Sequence, residues 1–112
     1  MKKYLVLYHS AISAADQMAK ATPEQAKAGM EAWMAWAGSA GKAIVDLGNP
    51  VTGAARLTSP TNVLSSASPV AGFSILQAES TDALTDLLKK HPHFMAPGAA
   101  IEVLEYLPMP GM

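Results

Sequence analysis

The sequence predicts a single α+β domain over residues 1–112, with an antiparallel sheet that is covered by helices on one face. Short runs of β-branched, aromatic and aliphatic residues recur at four places along the chain. Two segments between these runs have helix-capping residues and apolar residues at helical spacing. The resulting order of main elements is β-α-β-β-α-β, and 112 residues is the length of one domain with a modest core.

The first apolar run, Lys3 to Tyr8, is too short for a helix and predicts a buried strand. The alanine-rich stretch from Ala11 to Ala21 then predicts one or two helical turns after Ser13.

A longer helix is predicted to begin at Pro23. Thr22 and Gln25 have the spacing of a capping box, and proline is favoured at the first helical position. The segment Gly38–Gly41 is expected to end this helix. One apolar stripe at helical spacing is expected to face the core, with Trp33 as its largest member: Ala26, Met30, Trp33, Met34 and Ala37.

A second strand is predicted over Ala43–Leu47 and is closed by the turn residues Gly48-Asn49-Pro50. Residues 51–70 are rich in Ser, Thr, Pro and Gly, so we expect a long hairpin connection with a short strand near residues 55–58. Residues 72–79 predict the third main strand.

The second main helix is expected to be capped by Ser80 or Thr81 and to be stopped by His91-Pro92. The fourth strand is predicted over residues 101–107. The apolar positions of this helix are Ala83, Leu84, Leu87 and Leu88.

This element order is the split βαβ arrangement of ferredoxin-like folds, in which two helices cover one face of the sheet and leave the other bare. Half of the residues are hydrophobic and 15% are charged, against about 25% charged in an average soluble domain. We therefore expect a homodimer in which two bare sheet faces pack into a dimeric α/β barrel.

Composition argues against several classes of function. The chain has no cysteine, so disulfides, thiolate catalysis and sulfur-ligated zinc are excluded. A net charge of -1 argues against nucleic acid as a partner, and no apolar run approaches the ~20 residues of a membrane span. The apolar stretch Tyr4–Tyr8 is too short for a signal peptide, so we expect an untargeted, cytoplasmic protein. The sequence has no glycine-rich phosphate-loop motif, so it predicts no cofactor site.

The motif His91-Pro92-His93 is the main candidate for catalysis, because imidazole titrates near neutrality. Three interpretations are open: an acid–base corner, a cationic cap of the helix C-terminus, and a metal site, for which no third ligand has recognisable spacing. Asp46 interrupts an apolar strand, so it is either a carboxylate with a partner or an edge-strand charge in water.

Four further residues are candidates for binding a substrate. Arg56 is the chain's one arginine and could hold a carboxylate in a bidentate grip, or it could be a solvated loop charge. Tyr8 and His9 end the first strand on opposite faces, so one of them should reach the cleft between sheet and helix. Trp36, with Trp33, could line a pocket for a planar ligand or belong to the core.

The chain resembles the YCII-related family of small proteins with a dimeric ferredoxin-like α/β-barrel fold. The resemblance covers nearly the whole length and rests on the segments KKYLVLYH, TPEQAKAGMEAW, GKAIVDLGNPV, AGFSILQAES, LLKKHPHF and IEVLEYLPM. It implies small-molecule chemistry based on a His/Asp pair, with dehydrochlorinase activity as one known example.

This sequence departs from the family pattern at both members of that pair. The family's acidic residue before a proline falls on His91, and its helix histidine falls near Met30. We therefore hypothesise that the imidazole has moved to His91 or His93, with Asp46 as its partner.

The expected function is acid–base chemistry of the lyase or isomerase type on a small organic molecule, which needs no cofactor. The alternative is a non-catalytic dimer that binds a metabolite or another protein. Catalysis predicts loss of turnover in His91→Ala or His93→Ala, whereas a binding module should lose affinity when Trp36 or Arg56 is changed.

Overall fold

The structure is a computed structural model, and it describes residues 1–111. The predicted α+β class is confirmed: three helices accompany a four-stranded antiparallel sheet and a separate two-stranded sheet. In chain order the elements are β1 (Lys2–His9), α1 (Ala14–Lys20), α2 (Pro23–Ala40), β2 (Ile44–Asp46), β3 (Arg56–Ser59), β4 (Asn62–Leu64), β5 (Val70–Ala78), α3 (Thr81–Leu88) and β6 (Ala100–Glu105). Short 3₁₀ turns lie at Gly41–Ala43 and Pro92–Met95.

The main sheet has the strand order β2-β5-β1-β6, and every neighbouring pair is antiparallel. β1 is a central strand and pairs along its length with β5, from Lys2 opposite Ala78 to Tyr8 opposite Gly72. The register shifts between Tyr8 and His9, where β1 ends. β3 and β4 pair only with each other and form a hairpin outside this sheet.

Side-chain alternation gives the main sheet two different faces. One face packs against the helices and forms the core from Tyr4, Val6, Tyr8, Leu76, Trp36, Leu84 and Leu88. The opposite face, which we call the open sheet face, presents Leu5, Leu7, Phe73, Ile75 and Leu104, and these side chains are half-buried or exposed. The apolar excess of the sequence therefore lies partly on a surface that no described helix covers.

The predicted helix starts are confirmed by their caps. Ser13 and Ser80 accept backbone N–H groups at the starts of α1 and α3, and Thr22 forms a capping box with Gln25 at the start of α2. Each such cap is typically worth about 1 kcal/mol. The three caps satisfy backbone donors that would otherwise have no intrahelical partner.

The predicted end of α2 is confirmed, because Gly41 is its C-cap, but its predicted buried face is right only in part. Trp33 and Ala37 of the predicted stripe do pack against the core. The helix continues through Gly38 to Ala40, and the predicted stripe residues Met30 and Met34 are exposed. Trp36 is the buried residue of this helix, and Trp33 is half-buried. Helical spacing alone allowed two overlapping stripes, and packing against the sheet selected the one that buries the Trp36 indole.

Several strand predictions also differ from the structure in detail. β2 is only Ile44–Asp46, because the register shifts after Ile44 and the chain leaves the sheet at Leu47. β6 ends at Glu105 rather than at Leu107, whose side chain is exposed. The connection 51–70 contains two short strands, not one.

Candidate functional site

Five aromatic side chains meet at the end of β1, and we call them the histidine–aromatic cluster: Tyr8, Trp33, Trp36, His91 and His93. His91 is at the centre of this group. Its ring centroid lies 4.8 Å from that of Tyr8, 4.4 Å from Trp33 and 4.3 Å from Trp36. Both histidines are buried, so the predicted polar corner lies inside the domain.

Local sequence explains how His91 reaches this position. α3 ends at Leu88, whose carbonyl accepts the backbone N–H of His91 at 3.0 Å. Pro92 cannot continue a helix hydrogen-bond ladder but suits the first position of a new turn, and the 3₁₀ turn begins there. His91 is thereby the N-cap of this turn, and its ring is directed back towards α2.

The hydrogen bonds of His91 define its protonation. Its Nδ1 accepts the backbone N–H of His93 at 2.9 Å, so Nδ1 carries no proton. Burial, followed by repulsion from the neighbouring imidazole of His93, lowers the pKa of His91 to about 4. The neutral ring must therefore have its proton on Nε2, and this buried Nε2–H has no hydrogen-bond partner within residues 1–111.

These facts overturn one interpretation of the sequence. A cationic His91 that caps the C-terminus of α3 is wrong, because the ring is neutral and its Nδ1 is a hydrogen-bond acceptor for the next turn. Its aromatic neighbours exclude the water that would have kept the cation solvated.

His93 is held by a different contact. Its Nε2 lies 2.7 Å from the carbonyl oxygen of His9, and a carbonyl can only accept, so Nε2–H is the donor. In the neutral ring the remaining lone pair is on Nδ1. The two imidazoles therefore present different groups: His91 has a free N–H donor, and His93 has a free acceptor nitrogen.

Tyr8 contributes an aromatic wall rather than a base. Its hydroxyl donates to Ser74 Oγ at 2.9 Å, and Ser74 in turn donates to the carbonyl oxygen of Leu47 at 2.6 Å. Burial raises the pKa of Tyr8, although the hydrogen bond to Ser74 acts in the opposite direction. The phenol is therefore protonated at neutral pH, and its proton is committed to Ser74.

Tyr8 and His9 point to opposite faces of β1, as alternation predicts. Tyr8 is in the core, while the His9 ring lies on the open sheet face with its Nε2 2.8 Å from Glu102 Oε1. His9 still contacts the cluster through its backbone carbonyl, which accepts from His93. One residue thus connects the cluster on one face with a polar pair on the other.

The structure does not bring Asp46 to either imidazole. Asp46 is exposed on the edge strand β2, and its carboxylate accepts the backbone N–H of Gly48 at 2.9 Å. No hydrogen bond or ion pair joins it to His91 or His93 in the described chain. The hypothesised relocated His/Asp pair is not formed, and the interpretation as an edge-strand charge fits this geometry.

Arg56 is also separate from the cluster. It is exposed at the start of β3, where it lines a hollow of about 350 Å³ together with residues of the 64–68 segment. Trp36 is in the core and donates its indole N–H to the Leu87 carbonyl at 3.3 Å. Its indole N–H is therefore occupied, and its ring supports His91.

A second cavity lies beside the 3₁₀ turn. It has a volume of about 150 Å³ and is lined by Thr85, Leu88, Lys89, Phe94, Ile101 and Val103. This cavity is large enough for a molecule the size of benzene. Leu88 is also part of the core that contains Tyr8 and Trp36, but no residue of the histidine–aromatic cluster lines this cavity.

Sequence reasoning missed the roles of Ser74 and of the His93–His9 contact. A serine at a core position of a strand was the available signal for Ser74, since a buried hydroxyl needs partners. Nothing in the sequence indicated that a residue at position 93 would bond the carbonyl of residue 9.

No protein-family model matches the chain, and no curated protein matches it. Among residues 1–111, no three His, Cys, Asp or Glu side chains are placed to hold a metal ion together. No helix in the same range is both long and apolar enough to cross a membrane.

Proposed function

We propose that this chain is a homodimeric, ferredoxin-like protein of the YCII-related type that performs acid–base chemistry on a small organic molecule at the histidine–aromatic cluster. The observation that carries the proposal is the buried Nε2–H of His91, which has no partner in the described chain. An unpaired buried donor costs about 1–3 kcal/mol, so its retention favours a role with a ligand.

The strand order supports the ferredoxin-like part of the proposal. With the β3–β4 hairpin set aside, the sequence of elements is β-α-β-β-α-β, and the two central strands are the first and the third. This is the split βαβ arrangement, in which both helical crossovers lie on one face. The resemblance of the sequence to the YCII-related family agrees with it.

The open sheet face supports the homodimer. Leu5, Leu7, Phe73 and Ile75 lie next to one another on the two central strands, and a contiguous apolar patch of this kind is typical of an interface. A second copy offers a matching apolar face, since a two-fold axis pairs a surface with itself.

Analytical ultracentrifugation tests the dimer. We expect a dimer at micromolar concentration that Leu7→Glu converts to a folded monomer, because a carboxylate would be buried at the centre of the interface. Leu57→Glu on the exposed hairpin is the matched control and should remain dimeric. A monomeric wild-type chain would contradict this part of the proposal.

We propose different roles for the two histidines. His93 Nδ1 holds the free lone pair and is the proposed general base. The Nε2–H of His91 is the proposed donor to a developing negative charge on the substrate, because a neutral imidazole in a dry site can stabilise an oxyanion. The chemistry requires a proton acceptor and a donor and needs no cofactor, which is why lyase-type or isomerase-type reactions fit best.

Access to His91 would come past Trp33. This ring is half-buried and packs edge-on against both Tyr8 and His91. In this proposal a rotation of Trp33 opens a path to the His91 ring, against which it packs.

Proton exchange tests the catalytic part. Small keto acids, such as pyruvate and acetoacetate, are incubated with the protein in D₂O, and loss of the C–H signal adjacent to the carbonyl is followed by ¹H NMR. We expect the wild type to accelerate exchange of at least one compound, and His93→Gln to lose that acceleration while keeping its fold. Lys90→Gln, an exposed neighbour, is the control and should retain it.

A non-catalytic dimer is the second candidate, and one observation favours it. Both imidazoles bond backbone groups, His91 to its own turn and His93 to the end of β1, so both have a structural use. If His93→Gln and wild type exchange protons equally slowly and His93→Gln unfolds at lower denaturant, the histidines fasten the turn to the sheet and the acid–base proposal is overturned.

A further inference from the structure

A hollow beside the β3–β4 hairpin is separate from the histidine–aromatic cluster. The one charged side chain in its lining is a cation, Arg56. We call this cavity the hairpin hollow, and it is lined by Arg56, Leu64, Ser65, Ser66, Ala67 and Ser68. From these residues we propose that the hairpin hollow binds a small oxyanion, a phosphate or a carboxylate group. The proposal does not depend on the catalytic one.

The charge of the hairpin supports an anionic ligand. Arg56 is the one charged residue between positions 51 and 69, and no acidic side chain lines the hollow. A guanidinium has five N–H donors and no acceptor. Arg56 makes no ion pair with any residue of the described chain, so its donors are available to a ligand.

The serines add donors to the lining of the hollow. Ser66 Oγ accepts the backbone N–H of Ser68 at 3.4 Å, and Ser68 Oγ accepts that of Val70 at 3.1 Å. A hydroxyl that accepts from the backbone keeps its own hydrogen free to donate. The lining therefore combines a forked cation with hydroxyl donors, which is the donor set that phosphate and carboxylate groups prefer.

Gly53 fixes the position of Ser66. A Cβ atom at Gly53 would clash with the carbonyl oxygen and the hydroxyl of Ser66, so only glycine lets the segments before β3 and after β4 approach this closely. Gly53→Ala should therefore displace Ser66 and weaken anion binding without removing any donor from the hollow.

An exposed arginine attracts any anion weakly through its charge alone, and salt screens that attraction. A built site differs in two ways: it saturates, and it depends on the shape of the guanidinium as well as on its charge. The test must therefore separate loss of the Arg56 group from loss of one positive charge. Lys42 is exposed in the Gly41–Ala43 turn and supplies the matched control.

The experiment is an amide NMR titration of the full chain with inorganic phosphate and, separately, with acetate, at constant ionic strength maintained with NaCl. We expect saturable shifts at residue 56 and residues 64–68 with a millimolar dissociation constant. Arg56→Gln should weaken binding about tenfold, because it removes charge-assisted hydrogen bonds. The affinity of Arg56→Lys for the anion should lie between those of wild type and Arg56→Gln. The affinity of Lys42→Gln should stay within about twofold of that of wild type.

Each outcome decides the proposal. Binding of phosphate, acetate or both at these residues supports it and identifies which oxyanion the hollow prefers. Equal losses in Arg56→Gln and Lys42→Gln, or shifts that do not saturate and spread over the surface, would mean general electrostatic attraction and would overturn it. Absence of shifts with either anion would also overturn it.

Discussion

The sheet end that carries the histidine–aromatic cluster and the β3–β4 hairpin contain similar residues in opposite surroundings. Tyr4, Val6 and Tyr8 of β1 are at most 1% exposed, whereas Leu57 and Val63 of the hairpin are 64% and 61% exposed. All five residues lie in strands. Strand formation is thus a local property that both regions share. Burial requires other elements that pack against the strand, and only the sheet end has them.

This difference separates two kinds of chemistry. Around His91, aromatic neighbours remove water and lower the pKa of the imidazole. Arg56, by contrast, is exposed to solvent and makes no ion pair within the described residues. A two-stranded hairpin is marginally stable by itself, so the hairpin should tolerate substitutions that the sheet end cannot.

The largest expected effect is on the free energy of unfolding. Trp36→Ala removes a core indole and should cost about 3–5 kcal/mol, while Leu57→Ala in the hairpin should change stability by less than about 0.5 kcal/mol. Urea denaturation measures both changes in the free energy of unfolding, provided that the dependence of this free energy on urea concentration is the same in each variant. A cost above about 2 kcal/mol for Leu57→Ala would mean that the hairpin is packed, and the contrast between the regions would fail.

Acid should destabilise the sheet end through His91. The pKa of this imidazole is about 4 in the folded chain and near 6.5 when unfolded, so between these values the unfolded chain binds a proton that the folded chain does not. The free energy of unfolding should therefore be unaffected by His91 above pH 6.5 and should fall by about 3 kcal/mol as the pH drops to 4.

His91→Asn should flatten this pH dependence, since no group with a lowered pKa would remain at position 91. His9→Asn, on the open sheet face, is the control and should keep the steep loss. The measurement is the urea midpoint at every half pH unit. If the midpoint of His91→Asn falls with pH as steeply as that of wild type, His91 is not the cause of the acid destabilisation.

Two glycines sharpen the contrast between packed and open backbone. Gly48 has a φ of 83°, and a Cβ there would overlap the carbonyl of Phe73, so Gly48→Ala should cost about 2 kcal/mol or more. Gly38 in α2 has open space at the same position, and Gly38→Ala should stabilise the chain by about 0.5–1 kcal/mol. Thermal unfolding should move the two transition temperatures in opposite directions.

The smallest expected effect concerns a single buried hydroxyl. Tyr8→Phe leaves Ser74 Oγ without its donor and should cost about 1 kcal/mol. Tyr106→Phe changes a half-exposed ring outside the sheet and should cost nearly nothing. If both substitutions are neutral in urea denaturation, the Tyr8–Ser74–Leu47 chain contributes nothing to stability.

Local signals predicted the fold well where they were chemically specific. The capping box at Thr22, the stop at His91-Pro92 and the short apolar runs of β1 and β5 required no knowledge of the rest of the chain. The buried face of α2 was predicted only in part: Trp33 and Ala37 pack against the core, but Met30 and Met34 are exposed. Helical spacing says which residues share a stripe but not which stripe meets the sheet. The sheet itself made that choice, by burying Trp36.

The candidate site was predicted in part. His91, His93, Tyr8 and Trp36 do meet, whereas Asp46 and Arg56 lie elsewhere. Asp46 and Arg56 were candidates because of their side-chain chemistry. Strand register and the path of the hairpin determine where these side chains lie.

The sequence by itself determined the composition of the elements, their caps and the presence of imidazoles next to a helix stop, because these depend on residues a few positions apart. The tertiary structure decided that His91 is neutral, that its Nε2–H is unpaired and that His93 bonds the end of β1. Burial and long-range hydrogen bonds depend on residues that are far apart in the chain, such as His9 and His93, which are 84 positions apart, and no local pattern encodes which of them will meet.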